Sequence, residues 1–184
     1  DYIYARDATE QGKKKAAMEW LKMGVRRNPS NATAFRNLAR GYARTGELEK
    51  AREAYERALK LDPNNAALRF EYAKLLKRMG DEQGYLAQLK KAHEADSKNP
   101  AIAAALGDAE LKAGNKRRAL ELYREALRRD GRNEALRAKY TALYNELNPS
   151  AGAAANAANG NASGKADNSS ANAGNASGKS DGEK

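Results

Sequence analysis

Cysteine is absent from the 184 residues. That excludes a disulfide framework, a thiolate nucleophile and any thiolate-held zinc or iron–sulfur site. Histidine occurs once, at His93, so no histidine cluster can hold a metal, and neither a metal nor another cofactor is expected. No apolar run approaches the ~20 residues that a membrane span needs. No secretory signal is visible, and the first residue, Asp1, reads as the start of a processed or excised piece. Compartment stays open on these grounds: cytoplasmic, or periplasmic or extracellular after removal of a signal.

What the chain does have is basic charge, 34 Lys+Arg against 24 Asp+Glu for a net +10. It is unevenly spread. Residues 150–184 consist of Ala, Asn, Gly and Ser with three Lys, two Asp and one Glu. Their charges cancel, so the whole excess sits in residues 1–149, one domain's worth of chain. Nothing apolar in the tail exceeds Ala. Such a segment buries too little to offset an ordering cost of ~1–2 kcal/mol per residue, and is expected to be a disordered, flexible terminus.

A repeat runs through the first 149 residues. Gly12, Gly46, Gly80 and Gly114 are each 34 apart. The same period links Tyr4, Leu38, Tyr72, Leu106 and Tyr140; Ala5, Ala39, Ala73 and Gly107; Ala17, Ala51, Tyr85 and Ala119; Leu21, Tyr55, Leu89 and Tyr123; and Gly24, Ala58, Ala92 and Ala126. Pro29 and Pro63 share it. Inside a unit, Phe35, Leu38, Ala39 and Tyr42 fall at i, i+3, i+4, i+7, one face of a helix, and Leu48, Ala51, Tyr55, Ala58 and Leu59 repeat the pattern beyond Gly46. Each unit thus predicts two antiparallel helices of roughly 12–14 residues. Ala39 facing Ala51 and Ala58 lets the axes approach to about 8–10 Å. Gly46 suits the left-handed residue that ends a helix, and Asn99-Pro100 reads as an N-cap followed by proline at the first helical position.

With these columns, above all in the stretch from Ala34 to Asn65, the sequence resembles the tetratricopeptide repeat (TPR) family over about residues 1–147. The resemblance implies an all-α fold: a right-handed α-solenoid of antiparallel helical hairpins, whose first helices line a concave groove that holds a peptide or partner segment. It implies no enzyme and no catalytic residue. A TPR solenoid is expected over 1–149, with units 1–31, 32–65, 66–99 and 100–133 and a capping helix at 134–147, followed by the tail at 150–184. In the cap, Tyr140 and Tyr144 are expected to face the fourth unit, with Arg137, Lys139, Asn145 and Glu146 toward water. Two departures stand out. Tyr85 occupies an alanine column, so the third hairpin should be splayed or shifted, with Gly84 making room. Glu110 occupies the column of Tyr42 and Leu76, where a carboxylate needs a partner or water.

Mapped by the resemblance, the groove is lined by Arg6 of the first unit, by Arg36, Arg40 and Arg44 of the second, by Phe70, Lys74, Lys77 and Arg78 of the third, and by Ala101 and Ala104 of the fourth. The floor is basic first and small and apolar later. Stacking Arg36, Arg40 and Arg44 at i, i+4, i+8 costs a few tenths of a kcal/mol per like-charged pair, and arginine forks suit carboxylates. A merely solvated charged face is the plain alternative. The carboxylate-clamp subclass does not fit: Arg36 and Arg40 take its first pair, but Glu71 replaces an Asn, and Ala101 and Ala105 replace the last two cations. Chaperone tails are therefore not favoured.

The remaining signals are weak. His93 reads as a surface histidine, Trp20 as core or a partial surface contact, and Asp108 with Glu110 as a poor acid–base pair. The Lys13–Lys15 and Lys116–Arg118 runs read as solvated. The tail carries Asn-X-Ser acceptor patterns for N-glycosylation at Asn161, Asn168 and Asn175. The leading expectation is a non-catalytic protein–protein interaction scaffold with a basic groove for an acidic or extended partner segment. A second is end-to-end self-assembly, with Tyr2, Ile3 and Tyr4 as the contact, because the first unit offers apolar surface at the chain start. Polyanion or nucleic-acid binding ranks last, for want of aromatics interleaved with the basic floor.

Overall fold

The computed structural model describes residues 2–149, with side chains from Glu10 onward. The disordered-tail reading and the acceptor patterns at Asn161, Asn168 and Asn175 lie outside the described residues. Among the described residues there are eight helices and no strand: α1 (Tyr2–Arg27), α2 (Ala32–Thr45), α3 (Leu48–Leu61), α4 (Ala66–Met79), α5 (Glu82–Ala95), α6 (Pro100–Lys112), α7 (Lys116–Arg129) and α8 (Glu134–Leu147). No described helix is long and apolar enough to cross a membrane. The compact unit Asp1–Tyr144 is a solenoid in which α2 pairs with α3, α4 with α5, and α6 with α7, and each pair packs on the next.

An asparagine opens each first-type helix. Asn31 Oδ1 accepts from the N–H groups of Thr33 and Ala34, Asn65 from Leu68, Asn99 from Ala101 and Ile102, and Asn133 from Leu136. Such caps are worth about 1 kcal/mol each. Only the one at Asn99 is signalled by its proline; the column of four at 34-residue spacing is the fuller signal. Gly46, Gly80 and Gly114 end these helices at φ 84°, 83° and 89°, the left-handed region that other residues enter at a cost. Between the helices, Ala39, Ala51, Ala58, Ala73, Ala92, Ala119 and Ala126 are all 0% exposed, so the small columns do set the close approach. Tyr55 stacks on Tyr72 with ring centroids 5.8 Å apart, bridging the second and third hairpins.

Three expectations need correction. The first unit is not a hairpin: α1 runs unbroken through Gly12, which lies outside the left-handed region. At the other turns the residue after glycine leaves the helix, Glu47 at φ −82°, ψ 67°, Asp81 at −83°, 81°, and Asn115 at −85°, 61°. Lys13 occupies that place in the first unit, followed by Lys14 and Lys15. Lysine carries no acceptor for a cap and propagates helix readily. Second, the third hairpin is not splayed: α4 and α5 contact each other as extensively as the other pairs do. Tyr85 is 6% exposed, and it fits because its neighbour one turn on is Leu89 where other hairpins carry Tyr55 or Tyr123. The ring moves by one turn and the volume balances. Gly84 makes room not for Tyr85 but for Asp81, which accepts from the Gly84 N–H at 2.8 Å and would clash with an added Cβ. Third, α8 buries Leu136 and Leu143, with Tyr140 half-buried, while Tyr144 is 39% exposed.

Candidate partner-binding groove

Arg36, Arg40 and Arg44 lie on α2, and Phe70, Lys74, Lys77 and Arg78 on α4. Helical spacing of three or four residues, with Arg78 beside Lys77, puts each set on one side of its helix. The two helices meet across a cleft of ≈ 340 Å³ lined by Arg40, Ala43, Tyr55, Glu71, Lys74, Leu75 and Arg78. Ala101 is exposed and Ala104 half-buried on α6. Arg6, Tyr2, Ile3 and Tyr4 fall in the part of α1 whose side chains lie outside the described residues.

The basic floor is not uniform, and Glu71 is the reason. The Arg36 Nε lies 3.1 Å from both Glu71 oxygens, and Arg40 Nε donates to Oε2 at 2.9 Å; the Nη2 groups of both arginines also bond Glu71. Burial alone would raise the Glu71 pKa, but the two guanidinium groups overcome it and hold the carboxyl at about 2. Two arginines sharing one carboxylate leave one positive charge where two were expected. In the sequence Glu71 reads only as an absent clamp asparagine. The missed signal is an offset: the contacts join residues 35 and 31 apart, one past the period and three short of it.

That offset organises the rest of the groove. Lys139 of α8 lies 31 residues beyond Asp108 of α6 and binds both its oxygens at 2.8 Å, the same crossing with the signs reversed. Between these two crossings, the residue 31 beyond Lys74 is Ala105, which offers no charge. Lys74 instead sits 4.4 Å from the centre of the Phe70 ring, and Lys77 lies 5.2 Å from that of Tyr85. Arg78 Nη1 donates to the Ala43 carbonyl at 2.6 Å. Among the described residues, Lys74, Lys77, Arg78 and Arg44 form no ion pair. Arg36 and Arg40 are thus neutralised by Glu71, while the cations of α4 face no carboxylate among the described residues.

Other candidates resolve as structure. Glu110 is 4% exposed; Asn115 Nδ2 donates to it at 2.6 Å and Lys90 Nζ lies 3.0 Å away. Burial would raise its pKa, yet Asn115 and Lys90 together draw it below the usual carboxylate range. The Asp108 carboxylate accepts from Tyr123 Oη at 2.7 Å as well as from Lys139, so Asp108 and Glu110 do not form an acid–base pair. His93 is half-buried rather than openly exposed: its side chain is 13% exposed, with Nε2 3.4 Å from the Glu125 carboxylate. Trp20, expected as core or a partial surface contact, is not core: it is 70% exposed. Among the described residues, no cluster of acidic and histidine side chains could hold a metal ion.

Comparison with known proteins places the chain. Residues 4–137 match the family model described as the cytochrome c-type biogenesis protein H TPR domain. Among solved structures, the chain is similar to a thermophilic TPR protein of Thermus thermophilus, at 26% identity and TM-score 0.57 over 76% of this chain and 77% of that one. It is similar in fold to YrrB, described as a TPR protein with an unusual peptide-binding site, at 16% identity and TM-score 0.62 over 79% and 75%. It is also similar in fold to the first TPR of Spaghetti (RPAP3) bound to the HSP90 peptide SRMEEVD, at 16% identity and TM-score 0.57 over 64% and 93%. A search of curated proteins finds no match.

Proposed function

Because the chain belongs to the TPR family described by the cytochrome c-type biogenesis protein H TPR domain, we propose that it is a non-catalytic protein-interaction scaffold, and that it holds an extended, acidic partner segment against α4. The family is generally non-catalytic, and two proteins of the same fold are described with a peptide or a peptide-binding site. The observation that carries the acidic preference is the cationic part of the cleft. Among the described residues, Lys74, Lys77 and Arg78 have no carboxylate partner, whereas Glu71 already occupies Arg36 and Arg40.

This reading moves the centre of binding. An incoming carboxylate at Arg40 has to displace Glu71, and one at Lys74 displaces nothing charged. Phe70 beneath the Lys74 amine supplies an apolar floor on which a side chain of the bound segment can rest. A C-terminal carboxylate clamp is not part of the proposal, since Ala101 and Ala105 stand where its last cations belong.

The test is titration of acidic and scrambled-charge peptides across a salt series. Affinity for the acidic peptide is expected to fall with salt, because exposed charges are screened beyond ~8–10 Å at physiological ionic strength. Lys74→Glu is expected to weaken binding more than Arg40→Glu, and both more than Arg128→Glu on α7. Equal losses at all three positions, or equal binding of any polyanion, would replace the groove by nonspecific attraction.

A further inference from the structure

The repeat does not ask for a carboxylate where Glu71 stands. The same column holds Asn37 in α2, Ala105 in α6 and Lys139 in α8, so the packing of first-type helices accepts an amide, a methyl group or a cation there. Yet both Glu71 oxygens are taken up by the two guanidinium groups of α2. Held at about 2, the carboxyl stays ionised at neutral pH. It lines the same ≈ 340 Å³ cleft as Arg40, Lys74 and Arg78, and it lies one helical turn from Lys74 on that side of α4.

The two arginines are thus an anion site filled from within, and the group that fills it faces the place where an incoming acid would sit. An acid opposite Lys74 meets a cation with no carboxylate partner among the described residues. A second acid displaced toward α2 meets arginine forks already spent, with the ionised Glu71 beside them. Exchange does not relieve this. The Glu71 side chain is 16% exposed, so pushing it off its arginines leaves a largely buried, unpaired anion, which is costly. We propose that Glu71 is the specificity-determining residue of the cleft: it reserves the groove for a segment with an isolated acid opposite α4 and disfavours a segment with a continuous acidic run. Selectivity then comes from a repulsive element built into the site, not from an added attraction. This inference rests on the functional reading above, because it says which acidic segments that groove takes.

Two synthetic peptides of equal length test it, one with a single Asp among neutral residues and one with an uninterrupted run of Glu. Helicity and melting are read first, so that each variant is titrated where it is folded. Glu71→Gln keeps an amide oxygen and removes the charge. It is expected to tighten the Glu-run peptide at least roughly tenfold and the single-Asp peptide less than roughly threefold. The gain should shrink in high salt. Arg40→Gln is expected to cost the Glu-run peptide less than roughly threefold in the wild-type chain, and to remove most of the gain in the Glu71→Gln chain, a non-additivity that a purely structural Glu71 would not produce. If Glu71→Gln does not fold, the wild-type background decides: Lys74→Gln should cost the single-Asp peptide at least roughly fivefold more than Arg40→Gln, and equal losses would overturn the proposal. Equal gains for the two peptides, no gain, or an Arg40→Gln loss as large in wild type as in Glu71→Gln would overturn the role of Glu71 and leave the groove standing. Binding of neither peptide by wild type would overturn the functional reading and this inference with it.

Discussion

Helices α1 and α3 have the same small-residue columns and opposite surroundings. Ala51 and Ala58 of α3 are fully buried against α2, while Ala17 and Gly24 of α1 are open. The apolar pattern that makes a second-type helix is present in both. What differs lies in the turn before each. Gly46 takes the left-handed region and Glu47 leaves the helix, whereas Gly12 and Lys13 stay helical. A 34-residue period specifies which faces can pair; the residue after the glycine decides whether the chain turns to pair them.

The largest way to sharpen this contrast is in packing. Leu38, 8% exposed between α2 and α3, is expected to cost ~2–5 kcal/mol when changed to Ala. Met23→Ala, at an apolar position left 38% exposed on α1, should stay within about 0.5 kcal/mol. Denaturant melts read both; a small effect at Leu38 would break the assigned register. Next come the turns, where the same substitution should change sign. Gly46→Ala forces a side chain to φ 84° and should destabilise by ~1–2 kcal/mol. Gly12→Ala sits in a helix with nothing within 4 Å and should stabilise by ~0.5–1 kcal/mol. Destabilisation at Gly12 of the size seen at Gly46 would mean that the first unit turns in solution after all.

The period made most of this fold legible. Leu38, Ala39, Ala51 and Tyr55 could be placed in one core from spacing alone, because burial repeats with the helix and the helix repeats with the unit. Three things were not legible in the same way. The straight α1 depends on the helix preference of Lys13–Lys15 against a weak turn, a balance of local terms that the columns do not show. The neutralised half of the groove depends on Glu71 reaching a helix 31 to 35 residues earlier, so reading the concave positions one helix at a time counted charges without their partners. The exposure of Trp20 follows from α1 and was lost with it.

Of the two charged crossings, Arg36–Arg40–Glu71 and Asp108–Lys139, the first can be tested by pH. The Glu71 pKa is lowered from 4.5 to about 2, so its contribution to stability is present above the unfolded value and is lost as pH falls from about 4.5 toward 2. The wild-type melting temperature should drop over that window more than that of Glu71→Gln, whose starting stability is already lower. The Glu71 side chain is 16% exposed, so solvent screens its pairing with the two arginines only in part. Parallel pH profiles for wild type and Glu71→Gln would place the acid sensitivity elsewhere.

The smallest effect is expected at the outer crossing itself. The Lys139 and Asp108 side chains are 52% and 42% exposed, so water competes for both charges and their pairing is worth roughly 0.2–1 kcal/mol. Lys139→Met keeps the aliphatic stem and removes the charge. Asp108 then still accepts from the Tyr123 hydroxyl at 2.7 Å and is not left as a buried, unpaired anion. The cost should therefore be under about 1 kcal/mol and should shrink further in salt. Arg40→Met should behave differently although Arg40 is itself 46% exposed, because its partner is the less accessible Glu71, and Arg36 alone must then hold it. If Lys139→Met costs as much as Arg40→Met at both low and high salt, exposure of the acid is not what separates the two crossings, and the inner pair is no more of a structural lock than the outer one.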